Sequence, residues 1–130
     1  MEKEALNYFE QGCNCSQCII KALESYYNLN IDQQCVAMCS AVNSGFGVGG
    51  MCSLLTAGIM SFGLLFDEAT AKRLRMKLLN EFTDQYDSIN CGALIRDQQD
   101  ENGCKQLICD VAGLIRRIID EENNPNGIIK

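Results

Sequence analysis

The sequence contains no histidine and no tryptophan, and its single proline is Pro125, close to the end of the 130 residues. The absence of histidine excludes histidine-ligated zinc, histidine-ligated haem and every cysteine–histidine nucleophile pair. The scarcity of proline leaves most of the chain able to form long, uninterrupted helices. Any reactive centre in this chain therefore has to use thiolates, supported by carboxylates or backbone groups.

Positive charge is also scarce, since the formal net charge is −6 and the pI is about 4.5. A phosphate backbone and an anionic membrane surface would both repel such a chain, so neither nucleic acid nor membrane is an expected partner. The longest apolar run, residues 51–66, is interrupted by serine, threonine and glycine. A membrane span needs about 20 more uniformly apolar residues, so this run is predicted to be a buried core helix.

Cysteine is abundant, with nine residues in a short chain. The charged start "MEKEALNYFEQG" shows no secretory signal, so a cytoplasmic location is expected. In a reducing compartment, such cysteines indicate metal binding or redox activity rather than a disulfide scaffold. An odd number of cysteines also cannot pair completely within one chain.

The hydrophobic spacing predicts an all-α fold, because no stretch shows sustained strand alternation. We expect a single compact domain over residues 1–122, with five to six helices around the buried helix 51–66, and a flexible tail over 123–130. Asn14 and Asp32 are placed to cap helices, and the second of these is predicted to run to Gly45. The last helix is predicted to begin at Cys104. Four methionines at helical positions are predicted to lie in the core: Met38, Met51, Met60 and Met76.

Four cysteines share one local setting, because each is predicted in the first turn of a helix. They are Cys15, Cys52, Cys91 and Cys104. Unsatisfied N–H groups and the positive end of the helix dipole collect there, and both favour thiolate over thiol. Four such placements suggest helix ends directed at a common point. The glycine loop "GFGVGG" would bring the Cys52 helix end close to another group.

The other five cysteines differ in setting. Cys35, Cys39 and Cys109 lie within predicted helices, where buried cysteine commonly serves as a small hydrophobic residue. For Cys13 and Cys18, in "GCNCSQC", the core and functional interpretations are evenly balanced. The C-x-C-x-x-C spacing is like that of metal ligands, and C-x-x-C at a helix start is like a dithiol redox pair.

The order of several segments carries a family resemblance: "NCSQC", "GFGVGGMC", "NCGALI" and then "GCKQLICDVAGLI". From about Gly12 to Ile119 the chain resembles the family of redox-active cysteine proteins named for its C_GCAxxG_C_C pattern. The resemblance carries the family's cysteine signature onto Cys15, Cys52, Cys91 and Cys104. The chain departs from the pattern after Cys52, where the family usually has Gly-Ala and a further glycine.

Three functions remain open from the sequence. The first is thiol/disulfide redox chemistry at Cys15, Cys52, Cys91 and Cys104, serving an unidentified redox partner. The second is a metal or iron–sulfur binding module, in which the same four thiolates hold zinc or an iron–sulfur cluster. The third is a structural or interaction protein whose cysteines only fill the core. Within the first, Cys52 is expected to be the most reactive thiol.

Overall fold

The computed structural model describes the backbone of residues 1–97 and 101–123 and the side chains of residues 1–94 and 105–123. These residues form seven α-helices and one π-helical turn, Gly45–Gly49. The helices are α1 Glu2–Glu10, α2 Cys15–Tyr26, α3 Gln33–Ala37, α4 Ser53–Leu65, α5 Glu68–Tyr86, α6 Cys91–Asp97 and α7 Glu101–Asn123. The all-α prediction is confirmed, and the six α-helices other than α4 agree with the predicted five to six around the central helix.

The apolar helix α4 lies at the centre of the fold, as predicted for residues 51–66. It packs against α2, α5 and α7. Leu54, Leu55 and Phe62 are almost completely buried, and burying one such side chain stabilises a fold by about 1.5–3 kcal/mol. Gly58 brings α4 close to its neighbours, because a side chain there would meet Ile115 Cδ1 at 2.8 Å and Leu78 Cδ2 at 3.0 Å.

The long helices α5 and α7 are amphipathic and pack on each other and on α4. Leu74, Leu78 and Phe82 of α5 and Val111, Ile115, Ile118 and Ile119 of α7 form their buried faces. Ion pairs join their exposed faces, including Arg117–Glu81 at 3.1 Å and Lys77–Glu121 at 2.7 Å. No helix in the described residues is both long enough and apolar enough to cross a membrane.

Side-chain caps fix the starts of two helices where the sequence predicted them. The Asn14 side chain accepts a hydrogen bond from the Gln17 N–H and forms a capping box with that residue at the start of α2. The Asp32 side chain accepts from the Gln34 N–H at the start of α3. These caps satisfy N–H groups that have no partner within their helices.

The predicted length of α3 was wrong, because the helix ends at Ala37 and not near Gly45. The Cys39 carbonyl accepts hydrogen bonds of 3.1 Å from Asn14 Nδ2 and from Ser16 Oγ. Asn14, the N-cap residue of α2, and Ser16 thus occupy a carbonyl oxygen that a longer α3 would need for its own backbone hydrogen bonds. The chain after Ala37 therefore turns towards the glycine loop.

Two further predictions require correction. Helix α7 begins at Glu101 rather than Cys104, so Cys104 is its fourth residue. Met38, Met60 and Met76 are 69%, 39% and 48% exposed rather than buried, because Met38 follows the end of α3 and the other two lie on outer helix faces. The predicted tail lies outside the described residues from position 124 onward.

Candidate functional site

A short antiparallel bridge connects two distant segments of the chain and brings two cysteines together. Met51 lies opposite Asn90. The Cys52 N–H donates to the Ile89 carbonyl at 2.8 Å, and the Cys91 N–H donates to the Gly50 carbonyl at 2.6 Å. Cys52 and Cys91 are consequently diagonal neighbours, a relation that separates Cα atoms by about 7–8 Å in a regular sheet.

The glycine loop before the bridge has an unusual backbone. Five residues have a positive φ within six positions: Ser44, Gly45, Phe46, Gly47 and Gly49. Gly45 is the position where only glycine fits, since a Cβ atom there would lie 2.3 Å from the Gly50 nitrogen and 2.4 Å from its oxygen. The Gly50 N–H donates back to the Gly45 carbonyl at 2.9 Å and closes the loop. This closure places Gly50 where it can pair with Cys91.

A second glycine contact holds the two cysteine-bearing segments at short range. A Cβ atom on Gly49 would lie 3.5 Å from the Gly92 Cα atom, and one on Gly92 would lie 3.4 Å from the Gly49 oxygen. The backbones therefore approach each other without an intervening side chain. The Gly92 contact places the first turn of α6 directly against the loop.

The start of α2 delivers a third cysteine to the same region. Cys15 is the first residue of α2 and follows the cap residue Asn14. Asn14 also donates from Nδ2 to the Cys39 carbonyl at 3.1 Å, and its Oδ1 accepts from Ser16 Oγ at 2.7 Å. The cap is thus tied to the turn after α3, which fixes the position from which Cys15 projects.

These segments line a partly open cavity of about 220 Å³, whose walls are mainly apolar atoms. Its lining residues are Phe9, Asn14, Cys15, Asn43, Ser44, Cys52, Ser53, Leu54, Cys91 and Leu107. Three of the four cysteines singled out from the sequence therefore meet at this cavity. The Cys104 side chain lies outside the described residues, so its place in the cluster stays a prediction.

Helix starts supply the polar environment of the three thiols. Cys15 is the first residue of α2, Cys91 is the first residue of α6, and Cys52 is the N-cap residue of α4. Exposed N–H groups and a partial positive charge at such positions favour a thiolate. Among the described side chains, none that lines the cavity is charged.

The remaining described cysteines lie outside the cavity lining. Burial raises the pKa of Cys18 to about 12, and burial also raises the pKa of Cys39. Burial is again the main cause of the raised pKa of Cys109, followed by the charges of Asp110 and Glu2. Cys39 is fully buried, as the core interpretation predicted, whereas Cys35 and Cys109 are only half-buried.

The sequence did not identify several residues that shape the cavity. Phe9 and Leu107 form apolar walls from α1 and α7, and Asn43 and Ser44 add polar groups from the loop. The positive φ of Ser44 has no reliable sequence signal, because serine rarely adopts that conformation. Among the described side chains, no group of three or more cysteine or carboxylate residues has the arrangement of a metal site.

One known protein family matches the part of the chain that contains the four signature cysteines. A family described as "Putative redox-active protein (C_GCAxxG_C_C)" matches residues 13–118, which includes all four signature cysteines. No curated protein and no solved structure matches the chain. Since the family match covers most of the sequence, the chain belongs to the C_GCAxxG_C_C family.

Proposed function

We propose that this protein carries out thiol–disulfide redox chemistry at the cavity lined by Cys15, Cys52 and Cys91, with Cys104 as the fourth member of the cluster. The observation that carries the proposal is the convergence of three separate chain segments on this cavity, each contributing one cysteine. Thiols that serve only as core packing have no need of a shared cavity. The family description as redox-active supports the same conclusion.

Cys52 is the proposed attacking thiol and Cys91 the resolving thiol. The Cys52 thiolate attacks one sulfur of a substrate disulfide, forms a mixed disulfide and releases the other substrate sulfur as a thiolate. The Cys91 thiolate then attacks the Cys52 sulfur, forms the Cys52–Cys91 disulfide and releases the second substrate thiolate. Two electrons pass from the two protein thiols to the substrate, and the two thiol protons pass to solvent or to the released thiolates.

The bridge geometry supports this pair. Disulfides join Cα atoms about 4.4–6.8 Å apart, whereas diagonal neighbours in a regular sheet lie about 7–8 Å apart. By these ranges, an approach of about 0.2–1.2 Å would bring the pair to the upper limit for a disulfide, and about 2 Å would bring it to mid-range. Gly49, Gly50 and Gly92 flank the pair and offer backbone freedom for this movement. Cys15 approaches from the fixed end of α2 and is the alternative resolving thiol.

Each role predicts a different product when one cysteine is replaced. The fully reduced protein and its variants are mixed anaerobically with oxidised glutathione, quenched with acid and weighed by mass spectrometry. Peptide mapping should show the loss of two hydrogens at Cys52 and Cys91 of the wild-type protein, whereas Cys91→Ser should retain glutathione on Cys52 because the resolving thiol is missing. Cys52→Ser should form neither product in the cavity. Cys109→Ser, outside the cavity lining, is the matched control and should behave as wild type.

The proposal is wrong if, in Cys91→Ser, Cys52 forms an internal disulfide with a cysteine other than Cys15 or Cys104. It is also wrong if Cys91 of Cys52→Ser is oxidised at the wild-type rate. Zinc, iron and sulfide content of anaerobically purified protein tests the metal-binding alternative, and a stoichiometric metal that blocks alkylation of these thiols would favour it. We place the redox cycle in the cytoplasm, where thiols are kept reduced between turnovers, with a partner that remains to be identified.

A further inference from the structure

Two cysteines outside the family signature flank the capping box of α2. Asn14 is the N-cap residue and Gln17 occupies the third helical position. Cys13 therefore precedes the cap, and Cys18 is the fourth residue of the helix. Residues at these two positions pack against each other in the hydrophobic staple, which fixes the angle at which the chain enters a helix. In this protein both staple positions hold thiols.

The contacts agree with this arrangement. Cys18 Sγ lies 3.6 Å from the Cys13 carbonyl oxygen, so the Cys18 thiol is directed at the residue before the cap. Cys18 is fully buried, and Cys13 is a half-buried residue packed against the same core. After burial, the nearby Cys13 thiol is the next cause of the raised Cys18 pKa, ahead of Cys15. Of the neighbouring thiols, Cys13 therefore has the largest effect on the pKa of Cys18.

We infer that Cys13 and Cys18 are a second dithiol, which forms an intrachain disulfide across the capping box of α2. Half-buried Cys13 is the entry point: its thiolate attacks a low-molecular-weight disulfide such as oxidised glutathione, and one glutathione thiolate leaves. Cys18 then loses its proton and attacks the Cys13 sulfur, releasing the second glutathione thiolate. Two electrons pass from the two cysteines to one glutathione disulfide, and the two protons pass to the released thiolates.

This disulfide would act on the start of α2 and not on the cavity chemistry itself. It would close a covalent loop around Asn14 and Cys15, whose positions depend on the same capping box. Cys15 itself stays a thiol and keeps its place at the cavity. The inference rests on the staple geometry alone and does not require the proposed function of Cys52 and Cys91.

The test must distinguish three cysteines that lie between Lys3 and Lys21 and so share one tryptic peptide. The full-length protein is equilibrated with oxidised glutathione. It is then unfolded in a denaturant that contains iodoacetamide, so that all remaining thiols are labelled. It is then reduced and labelled with N-ethylmaleimide, and fragment ions assign the label at each position. The expected result is N-ethylmaleimide on Cys13 and Cys18 together, with iodoacetamide on Cys15.

Two variants keep the test independent of folding defects. Cys18→Ala retains a small apolar side chain in the core and should leave Cys13 as a thiol or as its glutathione adduct. Cys35→Ala removes a half-buried cysteine of α3 that is not a staple residue and should leave the Cys13–Cys18 result unchanged. N-ethylmaleimide on Cys15 and Cys18, on Cys13 and Cys15, or on none of the three would overturn the inference. None of these outcomes decides whether Cys52 and Cys91 react as proposed.

Discussion

The glycine loop offers a pair of substitutions that separate backbone conformation from steric contact. Gly45 and Gly47 both have a positive φ, of 60° and 79°. A Cβ atom on Gly47 would meet nothing within 4 Å, whereas one on Gly45 would lie 2.3 Å from the Gly50 nitrogen. Alanine at either position bears the same conformational penalty, about 1–2 kcal/mol. Only alanine at Gly45 must also displace the backbone of Gly50.

The extra effect at Gly45 follows from the two hydrogen bonds of Gly50. Its N–H donates to the Gly45 carbonyl, and its carbonyl accepts from the Cys91 N–H. A hydrogen bond contributes about 0.5–1.5 kcal/mol net, so losing both adds about 1–3 kcal/mol. Gly45→Ala should lower the free energy of unfolding by about 2–5 kcal/mol, against about 1–2 kcal/mol for Gly47→Ala.

Urea unfolding with linear extrapolation measures both losses. The same samples should show faster alkylation of Cys52 and Cys91 in Gly45→Ala, because the bridge that connects their segments is displaced. Gly47→Ala should retain wild-type alkylation rates. Equal destabilisation by the two substitutions, or an unchanged alkylation pattern in Gly45→Ala, would refute the role of the loop in positioning the site.

Two further predictions concern the cap of α2 and the buried titratable groups. Asn14→Ala should lower the free energy of unfolding, measured in urea, by about 1–2 kcal/mol. Asn14→Asp keeps the cap acceptor but loses the donor to the Cys39 carbonyl, so its loss should be smaller. Equal losses would contradict the claim that Asn14 both caps α2 and binds the Cys39 carbonyl. Stability should also fall as the pH rises from about 9 towards 12, because the unfolded chain releases the Cys18 proton near its ordinary pKa while the folded chain holds it to about 12. Tyr27 and Tyr86, whose pKa values are also raised by burial and by hydrogen bonds to carboxylates, should add to this fall above about pH 10. Cys18→Ala should reduce the slope between about pH 9 and 10, where the raised pKa values of Cys39 and Cys109 also contribute, and an unchanged slope would contradict the assignment.

The elements predicted correctly from the sequence are those whose cause is local. Asn14 and Asp32 cap the helices that follow them because their side chains reach N–H groups two or three residues away. The run 51–66 is apolar on all sides, and this property predicts a central helix in any all-α fold. Local composition was therefore enough to locate the core and two helix starts.

The elements that were missed depend on contacts between distant residues. Helix α3 ends early because Asn14 and Ser16, on another helix, bind the Cys39 carbonyl. The pairing of Met51 with Asn90 has no signature in either segment, yet it determines that Cys52 and Cys91 are neighbours. Predicted helix starts and the family resemblance selected these cysteines, but neither could show which two are neighbours.

The most direct test of the proposed redox centre is to identify the disulfide that forms first when the reduced protein is titrated in a glutathione redox buffer. Trypsin leaves Cys91 as the single cysteine of the peptide 78–96, and Cys52 falls in the peptide 22–72. The proposal predicts a cross-link between these peptides, located at Cys52 by fragment ions and absent from Cys52→Ser. It would be contradicted if Cys91 stayed reduced throughout the titration, or if the peptide 22–72 joined the peptide 78–96 through Cys35 or Cys39.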